Sequence, residues 1–274
     1  MEFDMTAFPL ITSELVRRIV DDYGDDRIRM FQEIPGNPYA IDIQHFGRVR
    51  ATLSNDIRYN AIVGLGRGDE ELLDKLVLLY KERKCEINIW VEPGFLDDGL
   101  GRRLAGHGLY QSGFLSVLYG APQSLDQQPE PKQAATGVTV EEVREAEMDI
   151  FLSVMRDSIN VREDFPEILH GKRWFGRQGW HPYLARVEGV PAGVGMLYAR
   201  NGTAYLTLAS TLPAFRRRGC QTALLRHRIA GAHALGCDLL TGSTAFDSIS
   251  QHNLERAGLR VAYTLATWRP LPST

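Results

Sequence analysis

The stretch LASTLPAFRRRGCQTALL, Leu208 to Leu225, decides the reading of this chain. Its first residues, with the run from Ala204 to Thr211, read as a strand. Pro213 interrupts it, and the loop Arg216-Arg217-Arg218-Gly219-Cys220-Gln221 leads into an Ala/Leu-rich helix to about Leu235. Leu224, Leu225, Ile229 and Ala232 share the buried side of that helix. A strand that turns into a helix leaves the first backbone N–H groups of the helix unpaired, and together with the helix dipole these bind phosphate. Glycine at 219 lets the backbone come close to an anion. The three arginines add cations that pair with phosphate oxygens. An arginine triplet in isolation reads better as a solvated basic turn. Its place between a strand and a helix favours the phosphate cradle.

The elements around this stretch form a regular series. Three strands are expected, at Tyr183 to Val187, Ala192 to Ala199 and Ala204 to Thr211. Turns at Glu188-Gly189-Val190-Pro191 and at Asn201-Gly202 join them, and Asn-Gly is a strong hairpin signal. After the helix, Gly236 is placed to cap it. Leu239 to Gly242 then reads as a fourth strand, Ser248 to Arg256 as a helix ended by Gly258, and Val261 to Trp268 as a last strand. Upstream, Val140 to Asp157 is expected to be helical, with Ile150, Phe151, Val154 and Met155 grouped, and Pro166 starts a short helical piece.

Composition breaks at Ala121 to Thr136, APQSLDQQPEPKQAAT, where Pro122, Pro129 and Pro131 disfavour helix and little can be buried. The expected division is therefore a domain over 1–121, a linker over 122–136 and a domain over 137–274. In the first half, Ser13 is placed to cap a helix running through Leu15 to Val20, and Pro35 to Pro38 mark a turn. Tyr59 to Val63 reads as a strand, followed by the loop Gly64-Leu65-Gly66-Arg67-Gly68 and a helix from Asp69 to about Arg83. Cys85 to Val91 reads as a strand, Leu100 to Ala105 as helical, and Phe114 to Tyr119 as a strand. Both halves share one order: strand, glycine-bearing loop, helix, strand, helix ending at Gly-Leu (Gly108-Leu109 and Gly258-Leu259), strand. This order reads as an old duplication. The loop at Gly64 to Gly68 invites a nucleotide, but Asp69, Glu70 and Glu71 follow at once, and carboxylates at a helix N-terminus repel phosphate. Its expected role is structural, or to wall an acceptor pocket.

The 274 residues are 44% hydrophobic and 24% charged with a net charge of -3, the profile of a soluble globular protein that does not bind nucleic acid. Cys85, Cys220 and Cys237 match no zinc spacing and give no disulfide framework, so the cytoplasm is the expected compartment. Met1 to Leu10 does not read as a signal peptide. No run approaches the roughly 20 apolar residues of a membrane helix. The seven histidines show no ligand spacing, and no metal is expected.

With its preceding hairpin, LASTLPAFRRRGCQTALL resembles the GNAT superfamily of N-acetyltransferases. The signature there is Gln/Arg-x-x-Gly-x-Gly/Ala, entered from a strand through a proline. Arg216 and Gly219 match it, and Gln221 stands where Gly or Ala is commonest. The resemblance spans Gly137 to Trp268 and takes in the trailing Asn253 and Gly258-Leu259. It implies an α/β GNAT fold, a mixed and mostly antiparallel sheet flanked by helices, preceded by a smaller GNAT-like α/β domain that is degenerate. It implies acetyl-coenzyme A as acyl donor. Arg216, Arg217, Arg218, Gly219, Cys220 and Gln221 would hold the pyrophosphate, and the strand end Ala209, Ser210 and Thr211 would bond the pantetheine arm as an added strand. Leu239 to Gly242 would form the far side of the cleft. Asn253 would reach the arm or the thioester, and reads equally well as an exposed surface amide.

The family commonly carries a tyrosine as general acid for the leaving thiolate, and the corresponding position is Leu254. An amine must be neutral to attack, so a carboxylate should take its proton, often through water. Asp157, Glu163, Asp164, Glu167 and Asp247 are candidates, each also readable as a solvated surface charge. A backbone N–H near Ser210 could polarise the thioester carbonyl. Ser210 and Asp247 are thus the candidate catalytic positions. Cys220 reads as a small packing residue more readily than as a nucleophile. Trp174, Phe175, Trp180 and Tyr183 read as core, with an acceptor pocket as the other use. The expected function is acetyl transfer to a primary amine of a small molecule by direct attack in a ternary complex, with a homodimer allowed. A non-catalytic acyl-coenzyme A sensor, acyl transfer to a hydroxyl or thiol, decarboxylation and protein acetylation stay open.

Overall fold

The computed structural model describes residues 10–128, 137–159 and 165–271. Pro129, Pro131, Glu163, Asp164 and the Ser13 side chain lie outside the described residues. Along the chain run α1 (Ser13–Gln32), β1 (Asp42–Phe46), β2 (Val49–Leu53), β3 (Ala61–Val63), α2 (Glu70–Glu82), β4 (Ile89–Val91), α3 (Asp98–Gly106), β5 (Leu109–Gly120), β6 (Val138–Glu142), α4 (Met148–Ile159), α5 (Pro166–Leu169), β7 (Trp180–Val187), β8 (Val190–Arg200), β9 (Thr203–Thr211), α6 (Cys220–Ala234), β10 (Leu239–Ala245), α7 (Ile249–Arg256) and β11 (Arg260–Pro270). They divide into two compact units, each made of two chain segments. One is Met1–Tyr23 with Leu118–Ala262, and the other is Gly24–Val117 with Tyr263–Thr274.

In the C-terminal unit the strand order is β5-β10-β9-β8-β7-β6, with β5 represented by Leu118 to Gly120. β6 through β9 pair antiparallel, and β9 and β10 pair parallel. A parallel pair needs a crossover, and α6 supplies it. Leu224, Leu225, Ile229 and Ala232 of α6 pack with Ala185, Leu197, Ala204 and Leu206 of the sheet in one core. The helix expected from Val140 is a correction. Val138 to Glu142 instead pairs with β7 from Val138↔Val187 to Glu142↔Tyr183, and the helix starts at Met148. The stretch VTVEE has β-branched residues and buries Val140 between exposed neighbours, which suits an edge strand better than a first helical turn. The described part of the expected linker is held down: Gln128 is buried and its Nε2 donates to the carbonyls of Gln123 and Arg226.

The N-terminal unit has the order β1-β2-β3-β4-β11-β5. β3 and β4 are parallel, with α2 as their crossover, so the strand–helix–strand order read in both halves is present in both units. Leu73, Leu76 and Tyr80 of α2 and Leu100 and Leu104 of α3 close its core over β2, β3 and β4. The hairpin of β1 and β2 was not expected from the sequence; β1 is only half-buried to exposed and carries no apolar alternation. The strands expected from Tyr59 and from Cys85 start later, at Ala61 and Ile89. Ile57–Tyr59 is instead a 3₁₀ turn whose cap Asp56 accepts from the Arg58 N–H. β4 neighbours β11, from the end of the chain, while in the C-terminal unit β10 neighbours the end of β5. Each unit thus completes its sheet with the strand that follows the other repeat's second helix.

Candidate functional site

The junction of β9 and α6 is built from backbone conformations that few side chains favour. After a 3₁₀ turn at Pro213–Phe215, Arg217 stands at φ 62° and Gly219 at φ 85°, both left-handed. Curled backbone of this kind points successive N–H groups to one side and makes a concave anion site. Gly219 is the N-cap of α6 and has no side chain to cap with, so the amides of the first turn face no acceptor from the cap. The loop arginines are used differently. Arg216 turns back, donating from Nε to Thr211 O at 3.4 Å and from Nη2 to Ser158 O at 3.3 Å. Arg218 reaches Glu188 at 3.4 Å and lies over the Phe215 ring. Arg217 is exposed and has no ion-pair partner among the described residues. Cys220 Sγ donates to Phe215 O at 3.8 Å. Its thiol is buried in the core and raised by desolvation, the state of a packing residue. Gln221, at the position where the motif has Gly or Ala, folds its side chain back and donates from Nε2 to Thr211 Oγ1 at 2.8 Å.

The strand leading to this loop has an open edge. β9 and β10 pair only from Leu239↔Thr203 to Thr241↔Tyr205, although β9 continues to Thr211 and β10 to Ala245. Beyond Tyr205 the strands part. Leu206 to Thr211, Ala209 exposed among them, therefore line a cleft that ends at the α6 N-terminus. On its other side β9 shifts register against β8 between Val194↔Ser210 and Met196↔Thr207, a bulge with Leu208 at φ 49°. Ser158 Oγ has two acceptors in reach of its hydroxyl, Ser210 Oγ at 2.6 Å and the Met155 carbonyl at 2.9 Å. The Ser210 hydroxyl thus ties β9 to α4.

At the closed end of the cleft the hydroxyls of Tyr205 on β9 and Ser243 on β10 are hydrogen-bonded to each other. Sequence reading missed this pair, because each residue looks ordinary in its own strand. Leu254, at the position where the resemblance implied a tyrosine, is buried in the core cluster with Leu206 and Leu240. Asn253 is half-buried on α7. The described candidate bases fall into three kinds. Asp247 is exposed, at φ 56°, with His252 Nε2 at 3.2 Å. Asp157 is held below the ordinary carboxylate range by the Arg156 guanidinium, which makes it a weak base. Glu167 is buried on α5, not a solvated surface charge. Trp174, fully buried, stacks on Trp180 with ring centres 6.0 Å apart, and Trp180 packs on Tyr198. Among the described residues no group of histidine, cysteine, aspartate or glutamate is arranged to hold a metal, and no helix is long and apolar enough to cross a membrane.

The corresponding loop of the N-terminal unit is filled by its own carboxylate. Asp69 precedes α2 but makes no capping bond there. Its Oδ2 accepts from the Gly66 N–H at 2.8 Å and from Arg48 Nη2, while Arg48 Nε donates to Gly64 O at 3.0 Å. Gly64, at φ 85°, packs so closely that a Cβ there would lie 2.6 Å from Arg48 O.

Comparison with known proteins agrees with this geometry. Residues 131–247 match the family model of the acetyltransferase (GNAT) domain. No curated protein matches the chain in sequence. Among solved structures, a GCN5-related N-acetyltransferase from Kribbella flavida superposes with a TM-score of 0.63 at 16% identity, over 85% of this chain and 90% of that one. One from Sphaerobacter thermophilus gives 0.62 at 15% identity over 93% and 89%. A tandem GNAT protein from the clavulanic acid biosynthesis pathway gives 0.61 at 15% over 90% and 89%. At such identities the likeness is one of fold. Residues 131–247 are thus similar to the acetyltransferase (GNAT) domain, in a chain with the α/β GNAT fold.

Proposed function

We propose that the chain transfers an acetyl group from acetyl-coenzyme A to a primary amine of a small molecule, by direct attack in a ternary complex, with residues 137–274 as the catalytic domain. The observation that carries this reading is the parting of β9 from β10 beyond Tyr205, directly before a helix whose N-terminus is uncapped. An extended amide chain can add to the free edge of β9 at Ala209, Ser210 and Thr211 as a further strand. Its pyrophosphate would then meet the first-turn amides of α6 beyond Gly219, with Arg217 and Arg218 over it. Thr211 and Gln221 contribute backbone, because their side chains bond each other. Arg216 acts by holding the loop to β9 and α4.

The thioester would lie along the bulge of β9, near the Tyr205–Ser243 pair at the cleft's closed end. As the C–N bond forms and the C–S bond breaks, one proton leaves the attacking nitrogen and one is needed at sulfur. Two linked hydroxyls can make that exchange: Tyr205 gives its proton to sulfur and recovers one through Ser243. Leu254 cannot serve, having no proton to give and lying in the core.

Calorimetric titration with acetyl-coenzyme A, followed by an amine panel monitored by thiol release, tests the reading. Saturable binding and amide product are expected. Absence of binding overturns it, and binding without product from any amine replaces it with a sensor role. Tyr205→Phe should lower kcat by about 10- to 100-fold with KM unchanged, since it removes a proton donor and little volume.

A further inference from the structure

The guanidinium of Arg228, on α6, is only 1% exposed and lies against the β8–β9 bulge. Its Nε donates to Leu224 O at 3.1 Å, and its Nη1 donates to both Met196 O and Thr207 O at 3.2 Å. Those two carbonyls belong to different strands and to the pair, Met196↔Thr207, that borders the register shift. Gly195 faces the bulge from β8, and a Cβ there would lie 2.9 Å from Arg228 Cζ and Nε. The guanidinium therefore takes the space that any other residue at 195 would fill. Burial pulls its pKa down to about 10, so it is still a cation at neutral pH. No carboxylate pairs with it among the described residues. Burying a cation without a counter-charge is costly, and an apolar side chain of similar length would fill the same space without that cost. Nη1 joins the two strands at the edge of the bulge while Nε holds the Leu224 carbonyl, so one rigid planar group fixes all three, which an apolar side chain does not do.

Resting on the reading that the thioester lies along β9, we propose that Arg228 is a positioning residue for acyl transfer: it locks the bulge and so aims the backbone N–H groups of Leu208 to Ser210 at the thioester carbonyl. Thr207 C=O and Leu208 N–H are one peptide group. A charged donor on the carbonyl polarises that group and strengthens the N–H as a donor.

The test uses the full chain and acetyl-coenzyme A labelled with ¹³C at the thioester carbonyl. Its stretching frequency is compared bound and free, for wild type and for Arg228→Met, Arg228→Lys and Gly195→Ala, with thermal melting to establish that each is folded. The wild type should lower the frequency. Arg228→Met and Gly195→Ala should lose more than about half of that shift, with affinity changed less than about threefold because the phosphate and arm contacts remain. Arg228→Lys should fall between. If Arg228→Met does not fold, Gly195→Ala carries the test, since it displaces the guanidinium and keeps its charge. A full shift in either folded variant would reduce Arg228 to a packing role and overturn the inference. A wild type that binds without any shift overturns it also, while leaving the acetyltransferase reading in place. A wild type that does not bind overturns both.

Discussion

The two units carry the same strand–loop–helix junction and make opposite use of it. In the C-terminal unit the loop from Arg216 to Gln221 ends in a glycine cap, with no acceptor of its own for the first-turn amides and with Arg217 unpaired among the described residues. In the N-terminal unit the loop from Gly64 to Gly68 is closed on Asp69, which accepts from the Gly66 amide and from Arg48. A carboxylate held by a loop amide and an arginine stands in for the oxygens of a phosphate. One junction is open to an outside anion, and the other has an anion built into the chain. The lesson concerns glycine-rich loops in general: the residue next after the glycines decides whether their amides stay available.

The comparison breaks most sharply at Gly219. Gly219→Glu would place a carboxylate where Asp69 sits in the other unit, and should weaken acetyl-coenzyme A binding by at least about 100-fold in calorimetry. Left-handed backbone at φ 85° adds strain of about 1 kcal/mol, small enough for the fold to persist by circular dichroism. Unchanged affinity in the folded variant would remove this loop from the binding site. A smaller effect is expected from the arginines. Arg217→Ala should weaken binding about five- to tenfold and flatten its salt dependence, and Arg218→Ala, whose guanidinium is shared with Glu188 and Phe215, about threefold. Equal losses from the two would show that partners in the free protein do not matter. The third prediction lies in the other unit. Asp69→Asn should lower stability by about 1 kcal/mol in a denaturant melt, since Arg48 is half exposed and solvent screens the pair. It should leave acetyl-coenzyme A affinity unaltered. A change in that affinity would mean that the two junctions do not act separately.

Residue by residue, the legible part of the site is the part made by neighbours in sequence. Pro213, the arginine triplet and Gly219 lie within a few residues of each other, and each acts through local backbone rules: a fixed φ, a left-handed turn, an uncapped first helical turn. Asp69 was readable as hostile to phosphate for the same reason, though not that it would turn back into its own loop instead of capping α2. Asn201-Gly202 marked its hairpin because the turn needs two left-handed residues, and both have positive φ. Where local signals conflicted, as in Val138 to Glu142, pairing with β7 outweighed the neighbouring helical pattern.

By itself, then, the sequence determined the strand–loop–helix order of both units, the glycine that caps one junction and the carboxylate that follows the other. Only the tertiary structure decided the rest. The parting of β9 from β10 depends on register between strands joined through a whole helix. The bulge at Leu208 depends on which residue of β8 lies opposite. Arg228 reads in sequence as one more polar residue of a helix, and becomes the seat of two carbonyls only once α6 lies on that bulge. Tyr205 and Ser243 meet because parallel pairing places their strands side by side. Local rules act through bonds a few residues long, whereas these features are set by which surfaces the folded chain brings together.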